Sequence, residues 1–419
     1  MTSSLTNETG SPLPLHTTIE GYGVRDDELT VDGHKITEFA RQAGQTPFYV
    51  YSRRLIDARL KKLRQTLPAG IHLHYAMKAN PLPELVLHIA PQVDGLDVAS
   101  ARELAVAMTT GTRPELISFA GPGKRDPELD AALTAGIVVN VESPAELERL
   151  AAIGQHRGLR PRVAIRVNPD FELKASGMRM SGGPKPFGID AEQVPDVLRR
   201  LAQLSLEFEG FHIFSGSQNL DGKAIADAET KSLDLALQLA QHAPREPRFI
   251  NLGGGFGIPY FPGDKPVDLA PVRAALEAAR EKLGRVFASA TIVIELGRYI
   301  VGEAGLYICQ VIDRKVSRGQ IFLVTDGGLH QHLAASGNFG QVLRKNYPVL
   351  IGTRVQGTVR EIASVVGPLC TPLDLLGDRM EMARAEPGDL VVVFQSGAYG
   401  ATASPINFLS HPPPVELLI

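Results

Sequence analysis

Only two cysteines, Cys309 and Cys370, occur in 419 residues, and they lie far apart in the chain. A disulfide framework is not indicated, and a reducing, cytoplasmic setting is the simplest home. No apolar run reaches the roughly 18 residues that a membrane span needs. No block of like charge occurs either: 43 Lys and Arg stand against 46 Asp and Glu, a formal net charge of −3. Mixed signs leave no electrostatic footprint for nucleic acid or for an anionic membrane. The opening MTSSLTNETGSPLPLH has no basic start and no apolar stretch, so it does not read as a signal peptide. Its Ser, Thr, Pro and Gly predict a flexible tail over residues 1–22.

What the chain has is apolar material and rhythm. Hydrophobic residues make up 44%, enough for a large core. Short β-branched runs recur: IHLHYAMK (71–78), GLDVAS (95–100), LISFAG (116–121), IVVNVES (137–143), RVAIRVN (162–168), FEGFHIFS (208–215), RFINLGGG (248–255) and TIVIELG (291–297). Between them lie amphipathic segments such as SARELAVAMTTG and SPAELERLAAIG. Ser100 with Glu103, and Ser143 with Glu146, have capping-box spacing. Eight strand–helix units in about 230 residues match an α/β fold, the (β/α)8 TIM barrel. After about residue 300 the texture changes to alternating runs without long helices, as in GLYICQVIDRKVSRGQIFLVTDGG. That predicts a C-terminal antiparallel β-domain over 298–419. TVDGHKI and FYVYS near the start also read as strands. Residues 23–47 are therefore expected to join the β-domain, and 48–297 to form the barrel.

In a TIM barrel the functional groups cluster where strands end. The first run ends in Lys78. Lysine is rarely fully buried, so Lys78 could simply cap a strand and reach solvent. It could also be a Schiff-base lysine holding a carbonyl cofactor. The other strand ends supply Arg166, His212, Gly253 to Gly255 and Glu295. Glycine-rich turns let backbone amides approach a phosphate, although tight turns use the same residues. Ser215 could add a hydroxyl. His212 could be a satisfied core histidine or could cover one face of a flat ring. Glu295 could pair with Arg298, or could favour protonation of a pyridine nitrogen and so strengthen an electron sink.

Together these features resemble the fold type III pyridoxal-phosphate decarboxylases, the group of diaminopimelate and ornithine decarboxylase. The motifs YAMKAN, LDVAS, IRVNPD, FHIFSGSQ, NLGGGFG, ELGR, GPLCTPLD and GAYG occur in the family's order. The resemblance implies pyridoxal 5′-phosphate as cofactor, with Lys78 as its Schiff-base partner. His212 would stack on the ring and Glu295 would pair with its nitrogen. Ser215, Gly253, Gly254 and Gly255 would hold the phosphate, with Arg298 nearby. Asp97, Arg166 and Tyr399 would complete the cofactor's surroundings. The resemblance further implies a homodimer with shared active sites. Cys370 and Asp374 would come from the partner subunit, and Cys370 would reprotonate the α-carbon after loss of carbon dioxide. Arg298, Arg344, Tyr347, Thr371, Asp374 and Tyr399 would contact an amino-acid substrate.

Some positions depart from the family pattern. Diaminopimelate decarboxylases follow the cysteine with a glutamate that recognises the substrate's far amino group; here that position is Thr371. The usual HIGS is HIFS, which places Phe214 beside the phosphate site, and EPGR has become ELGR. Arg344 and Tyr347 stand in LRKNYP, where an arginine followed by proline and a later tyrosine is usual. Losing a charge that pairs with an ammonium costs selectivity. The pattern is closer to relatives that act on carrier-protein-linked amino acids or accompany exopolysaccharide synthesis. Diaminopimelate decarboxylation, amino-acid racemisation and non-catalytic cofactor binding are the alternatives. Racemases place arginine where this chain has Glu295. No metal site is expected: HQH (330–332) reads as solvated histidines. Cys309 reads as core.

Overall fold

The computed structural model describes residues 15–173, 177–341 and 343–419. These divide into two compact units.

The first unit spans residues 59–257 and 267–299. Its strands are β1 (Ile71–Ala76), β2 (Gly95–Val98), β3 (Ile117–Phe119), β4 (Val138–Val141), β5 (Arg162–Asn168), β6 (Glu207–Ile213), β7 (Phe249–Gly254) and β8 (Thr291–Leu296). All pair in parallel, each with its sequence neighbour, and β8 pairs with β1 to close the barrel. The eight strands expected from the sequence all form. Parallel strands buried on both faces need near-continuous apolar sequence, and VVNV of β4 is buried at every position.

The caps form with one refinement. Ser100 Oγ accepts from Glu103 N at 3.2 Å, and Ser143 Oγ from Glu146 N at 3.1 Å. The glutamates reach back one residue further than a capping box requires. Glu103 accepts from Ala99 N at 2.7 Å, and Glu146 from Glu142 N at 2.8 Å. Each cap ties a helix start to the strand end before it, where the functional groups lie.

The second unit comprises residues up to 58, 258–266 and 300–419. Its sheet is mixed rather than purely antiparallel. Gly305–Ser317 pairs antiparallel with Gln320–Thr325, Leu390–Val393 and Phe48–Tyr51. Arg360–Val366 pairs parallel with Gln320–Thr325, and Val415–Leu418 parallel with Phe48–Tyr51. Parallel neighbours need a long connection, and the sequence run 326–359 supplies one.

The strand Phe48–Tyr51 belongs to this sheet, so the barrel unit starts later than residue 48. All four of its residues are buried. Phe48 and Val50 pack with Leu306, Ile308, Val392 and Phe394 in the second unit's core. Of the expected tail, residues 1–14 lie outside the described residues. Residues 15–22 are anchored instead: Leu15 O accepts from Gly263 N at 2.9 Å, and Thr17 Oγ1 donates to Asp264 O at 2.6 Å. Among the described residues no helix is long and apolar enough to cross a membrane.

Candidate active site

β1 ends at Ala76 and the chain enters a single 3-10 turn, Met77–Ala79. Tyr75 Oη donates to Asn80 O at 2.8 Å across this turn. The end of β8 presses against it: a Cβ on Gly297 would lie 2.8 Å from Ala76 O and 2.7 Å from Ala79 Cβ. Met77 and Ala79 are buried while Lys78 between them is exposed. Its Nζ lies 5.4 Å from the centroid of the Phe214 ring, over the ring. The turn thus presents one amine at the strand end with little freedom of backbone.

Glu295 lies near the end of β8 and is 4% exposed. Asn251 Nδ2 donates to its Oε1 at 2.6 Å, and His212 Nε2 lies 3.4 Å from its Oε2. The second contact is an ion-pair distance without hydrogen-bond alignment. Burial alone would raise this carboxyl, but His212, Lys78 and Asn251 together hold it well below the usual carboxylate range. Asp97, on β2, goes the other way. It is 2% exposed. Burial and the Glu295 charge push it well above the ordinary value, against Lys78 and a 2.9 Å hydrogen bond from Ser118 Oγ. His74, on β1 in register with Glu295, is buried and held down to about 4 by burial.

The glycine turn is shaped by close approach. Gly253 and Gly255 have φ of 74° and 76°. A Cβ on Gly254 would meet Glu295 O at 2.2 Å, and one on Gly255 would meet Gly216 O at 2.1 Å. Packing therefore demands these glycines. One amide is already engaged: Gly253 N donates to Asn251 Oδ1 at 2.9 Å. Ser215 Oγ, by contrast, is buried with no hydrogen-bond partner among the described residues.

Arg166 is ion-paired to Glu142. Its Nη1 donates to Glu142 Oε1 at 2.6 Å, and both side chains are buried. Glu142 also accepts from Gly121 N at 2.6 Å and Gly188 N at 3.2 Å. Burial acts to raise Glu142, but Arg166 and Lys124 hold it below its ordinary value. The pair ties β5 to the end of β4 and offsets the Arg166 charge. Arg298 is partly buried at the start of the short helix Arg298–Val301.

The other expected site residues lie in the second unit. Cys370 is exposed. Thr371 is half-buried and its Oγ1 accepts from Leu373 N at 3.3 Å. Both Thr371 and Asp374 line a cavity of about 490 Å³ with Gly367, Leu369, Asp378 and Arg379. Asp374 pins two backbone segments: Oδ1 accepts from Leu329 N at 2.6 Å and Oδ2 from Leu369 N at 2.8 Å. Arg344 donates through Nη1 to Ser336 O, while its buried Nε and Nη2 have no partner among the described residues. That leaves the Nε and Nη2 edge for a carboxylate. Tyr347 is 4% exposed, and its ring sits 4.6 Å from Tyr260. Tyr399 is half-buried with φ 54°, its ring 6.0 Å from Phe339.

The HQH segment is not solvated. His330, Gln331 and His332 are all 0% exposed. His332 Nε2 is 2.9 Å from Ser396 Oγ, and Gln331 Nε2 donates to Pro412 O at 2.9 Å. Burial holds His332 down to about 3. Among the described residues no group of three or more His, Cys, Asp or Glu could hold a metal ion. Cys309 is buried in the strand Gly305–Ser317, as a core residue should be.

Sequence reading missed Asn251, which links Glu295 to the glycine turn, and Glu142, which neutralises Arg166. The signal for Asn251 was its place as the first residue of NLGGGFG, two before the glycines it orders. The assembled groups fit pyridoxal phosphate: an exposed amine at a strand end, a carboxylate that feels its charge, a flat imidazole beside that carboxylate, and a buried hydroxyl, unpartnered among the described residues, next to a glycine turn.

Comparison with known proteins agrees with that fit. Residues 53–302 match the family described as pyridoxal-dependent decarboxylase, pyridoxal binding domain. An L-glutamyl-[BtrI acyl-carrier protein] decarboxylase of Niallia circulans is 37% identical, over 93% of this chain and 92% of its own. A 2-[(L-alanin-3-ylcarbamoyl)methyl]-2-hydroxybutanedioate decarboxylase of Staphylococcus aureus is 31% identical, over 90% and 95%. The structure of diaminopimelate decarboxylase from Helicobacter pylori with L-lysine superposes with a TM-score of 0.81 at 28% identity, over 91% and 94%. The chain belongs to the pyridoxal-dependent decarboxylases, enzymes that use pyridoxal 5′-phosphate to decarboxylate amino acids and their derivatives.

Proposed function

We propose that this enzyme removes the α-carboxylate of an L-amino acid whose far end is derivatised, as in an aminoacyl group tethered to a carrier protein. The observation that carries the reading is Thr371 directly after Cys370. A threonine offers no charge to a free ammonium at the far end of meso-diaminopimelate, and a missing buried partner costs discrimination heavily. The Niallia circulans relative, named for a carrier-bound glutamyl substrate, supports it.

Pyridoxal phosphate, when bound, supplies the sink for the electron pair that departing carbon dioxide leaves behind. The chain's own residues do the rest. Lys78 would hold the cofactor's carbonyl carbon, and the ionised Glu295 would keep a proton on the ring nitrogen. His212 would cover one ring face, Ser215 and the 253–255 turn would hold the phosphate, and the Arg344 Nε and Nη2, unpartnered among the described residues, would take a carboxylate. Cys370, contributed by the partner subunit of a homodimer, gives a proton to the α-carbon.

The test is carbon dioxide release from a panel of free amino acids, N-acylated forms, aminoacyl carrier thioesters and meso-diaminopimelate. The reading expects a derivatised substrate to exceed diaminopimelate by at least about 100-fold, the order expected for one unmatched buried charge. Diaminopimelate as the best substrate would overturn it. That second reading has the support of diaminopimelate decarboxylases such as the Aquifex aeolicus enzyme, 34% identical over 94% of this chain.

A further inference from the structure

Behind the glycine turn lies a carboxyl that the chemistry above leaves without a task. Glu229 sits on the helix Gly222–Ala240, which buries Ile225, Ala228, Ser232, Leu233 and Ala236 on the same stripe. Glu229 is 3% exposed, and neither carboxyl oxygen has a hydrogen-bond partner among the described residues. An isolated ionised carboxylate in such surroundings is strongly disfavoured, so the group is held as the neutral acid. A neutral carboxyl carries one O–H donor.

The donor has somewhere to go. A cavity of about 10 Å³ is lined by Glu229 together with Ser215 and Gly216, beyond β6, and Leu252 and Gly254, of β7. That volume suits a single water, which needs polar partners to stay. Ser215, whose Oγ is also orphaned among the described residues, lines the same cavity and is 7% exposed. Two unpartnered buried groups facing one water-sized space between the proposed phosphate loops are not explained by packing, which would favour an apolar residue at position 229.

We propose that Glu229 is a positioning residue for the cofactor's phosphate. It donates its proton to one water in this cavity, and that water donates to Ser215 Oγ. The Ser215 hydroxyl, with its lone pair engaged, then donates its own proton to a phosphate oxygen. Every hydrogen bond in the relay points toward the anion, and cooperative chains of this kind strengthen their terminal donor. This rests on the reading of Ser215 as a phosphate ligand.

The experiment compares affinities of the cofactor-free enzyme for pyridoxal 5′-phosphate and for pyridoxal, followed by the cofactor's absorbance change. Their ratio isolates the phosphate's contribution. Glu229→Met should lower the ratio about fivefold or more, the scale of one hydrogen bond, with pyridoxal affinity and melting temperature no lower than in wild type. Glu229→Gln keeps a donor and should stay within about twofold on the same scale. Ser215→Ala should lower the ratio at least as far as Glu229→Met. If Glu229→Met yields no folded protein, Glu229→Ala carries the same expectation. An unchanged ratio in the Glu229 variants beside a lowered one in Ser215→Ala would overturn the relay alone. Equal loss of both affinities would mark Glu229 as merely structural and also overturn it. An unchanged ratio in Ser215→Ala would overturn the phosphate reading and the relay with it.

Discussion

Lys78 is exposed between two buried neighbours, on a turn pinned by Tyr75 and crowded by Gly297. The contacts that hold this turn come from Tyr75 and from the close approach of Gly297. Lys78→Ala should therefore melt close to wild type, yet lose borohydride-fixable cofactor and nearly all turnover; cofactor still fixed to that variant would contradict the assignment. Glu295 differs, because its charge is stabilised by named partners. Glu295→Gln keeps shape and removes the charge that holds a proton on the ring nitrogen. Electrostatic groups of this kind contribute about 3 kcal/mol or more, so kcat should fall by roughly two powers of ten or more with cofactor still bound. A kcat within tenfold of wild type would place the tuning elsewhere. These residues were legible because each closes a periodic apolar run. The partners of Arg166 and Asp374 were not, because a sequence shows a charge but not the neighbour that engages it. Glu142 takes the first, and two backbone amides engage the second.

Among the elements, the barrel strands were legible in full, since parallel strands buried on both faces leave unbroken β-branched runs. The β-domain was legible as strands but not as pairing. Period-two alternation does not say which neighbour a strand takes, so the parallel partners of Gln320–Thr325 and Phe48–Tyr51 were hidden. The HQH loop was misread for a related reason: its burial comes from distant partners at Ser396 and Pro412. That burial has a consequence for acid stability. His332 has its pKa lowered from an ordinary 6.5 to about 3. The unfolded chain thus binds a proton that the folded one refuses. The associated stability is fully present above pH 6.5 and is lost as pH falls from there toward 3. His332→Gln should flatten the fall of melting temperature between about pH 6.5 and 4. An unchanged slope would mean that other groups govern the acid limb.

On the scale of the whole molecule, Cys370 and Lys78 lie in different compact units, each exposed within its own. The proposed homodimer joins one chain's lysine to its partner's cysteine. Inactive Lys78→Ala and Cys370→Ala enzymes, once their subunits exchange, should then restore roughly a quarter of wild-type sites, by the twofold symmetry of the pair. No recovery despite exchange, followed by mass, would contradict a shared site. The family was legible from motif order, whereas the substrate's far end was not, because the positions that read it differ from the pattern. The central claim is that carbon dioxide leaves and a proton replaces it at the same carbon. Turnover in deuterium oxide of the best substrate in the panel tests this most directly. The account predicts one carbon dioxide per product amine, one deuterium at its α-carbon, and recovered substrate without label. α-Deuterated substrate recovered without carbon dioxide release would mean racemisation instead, and would contradict the account.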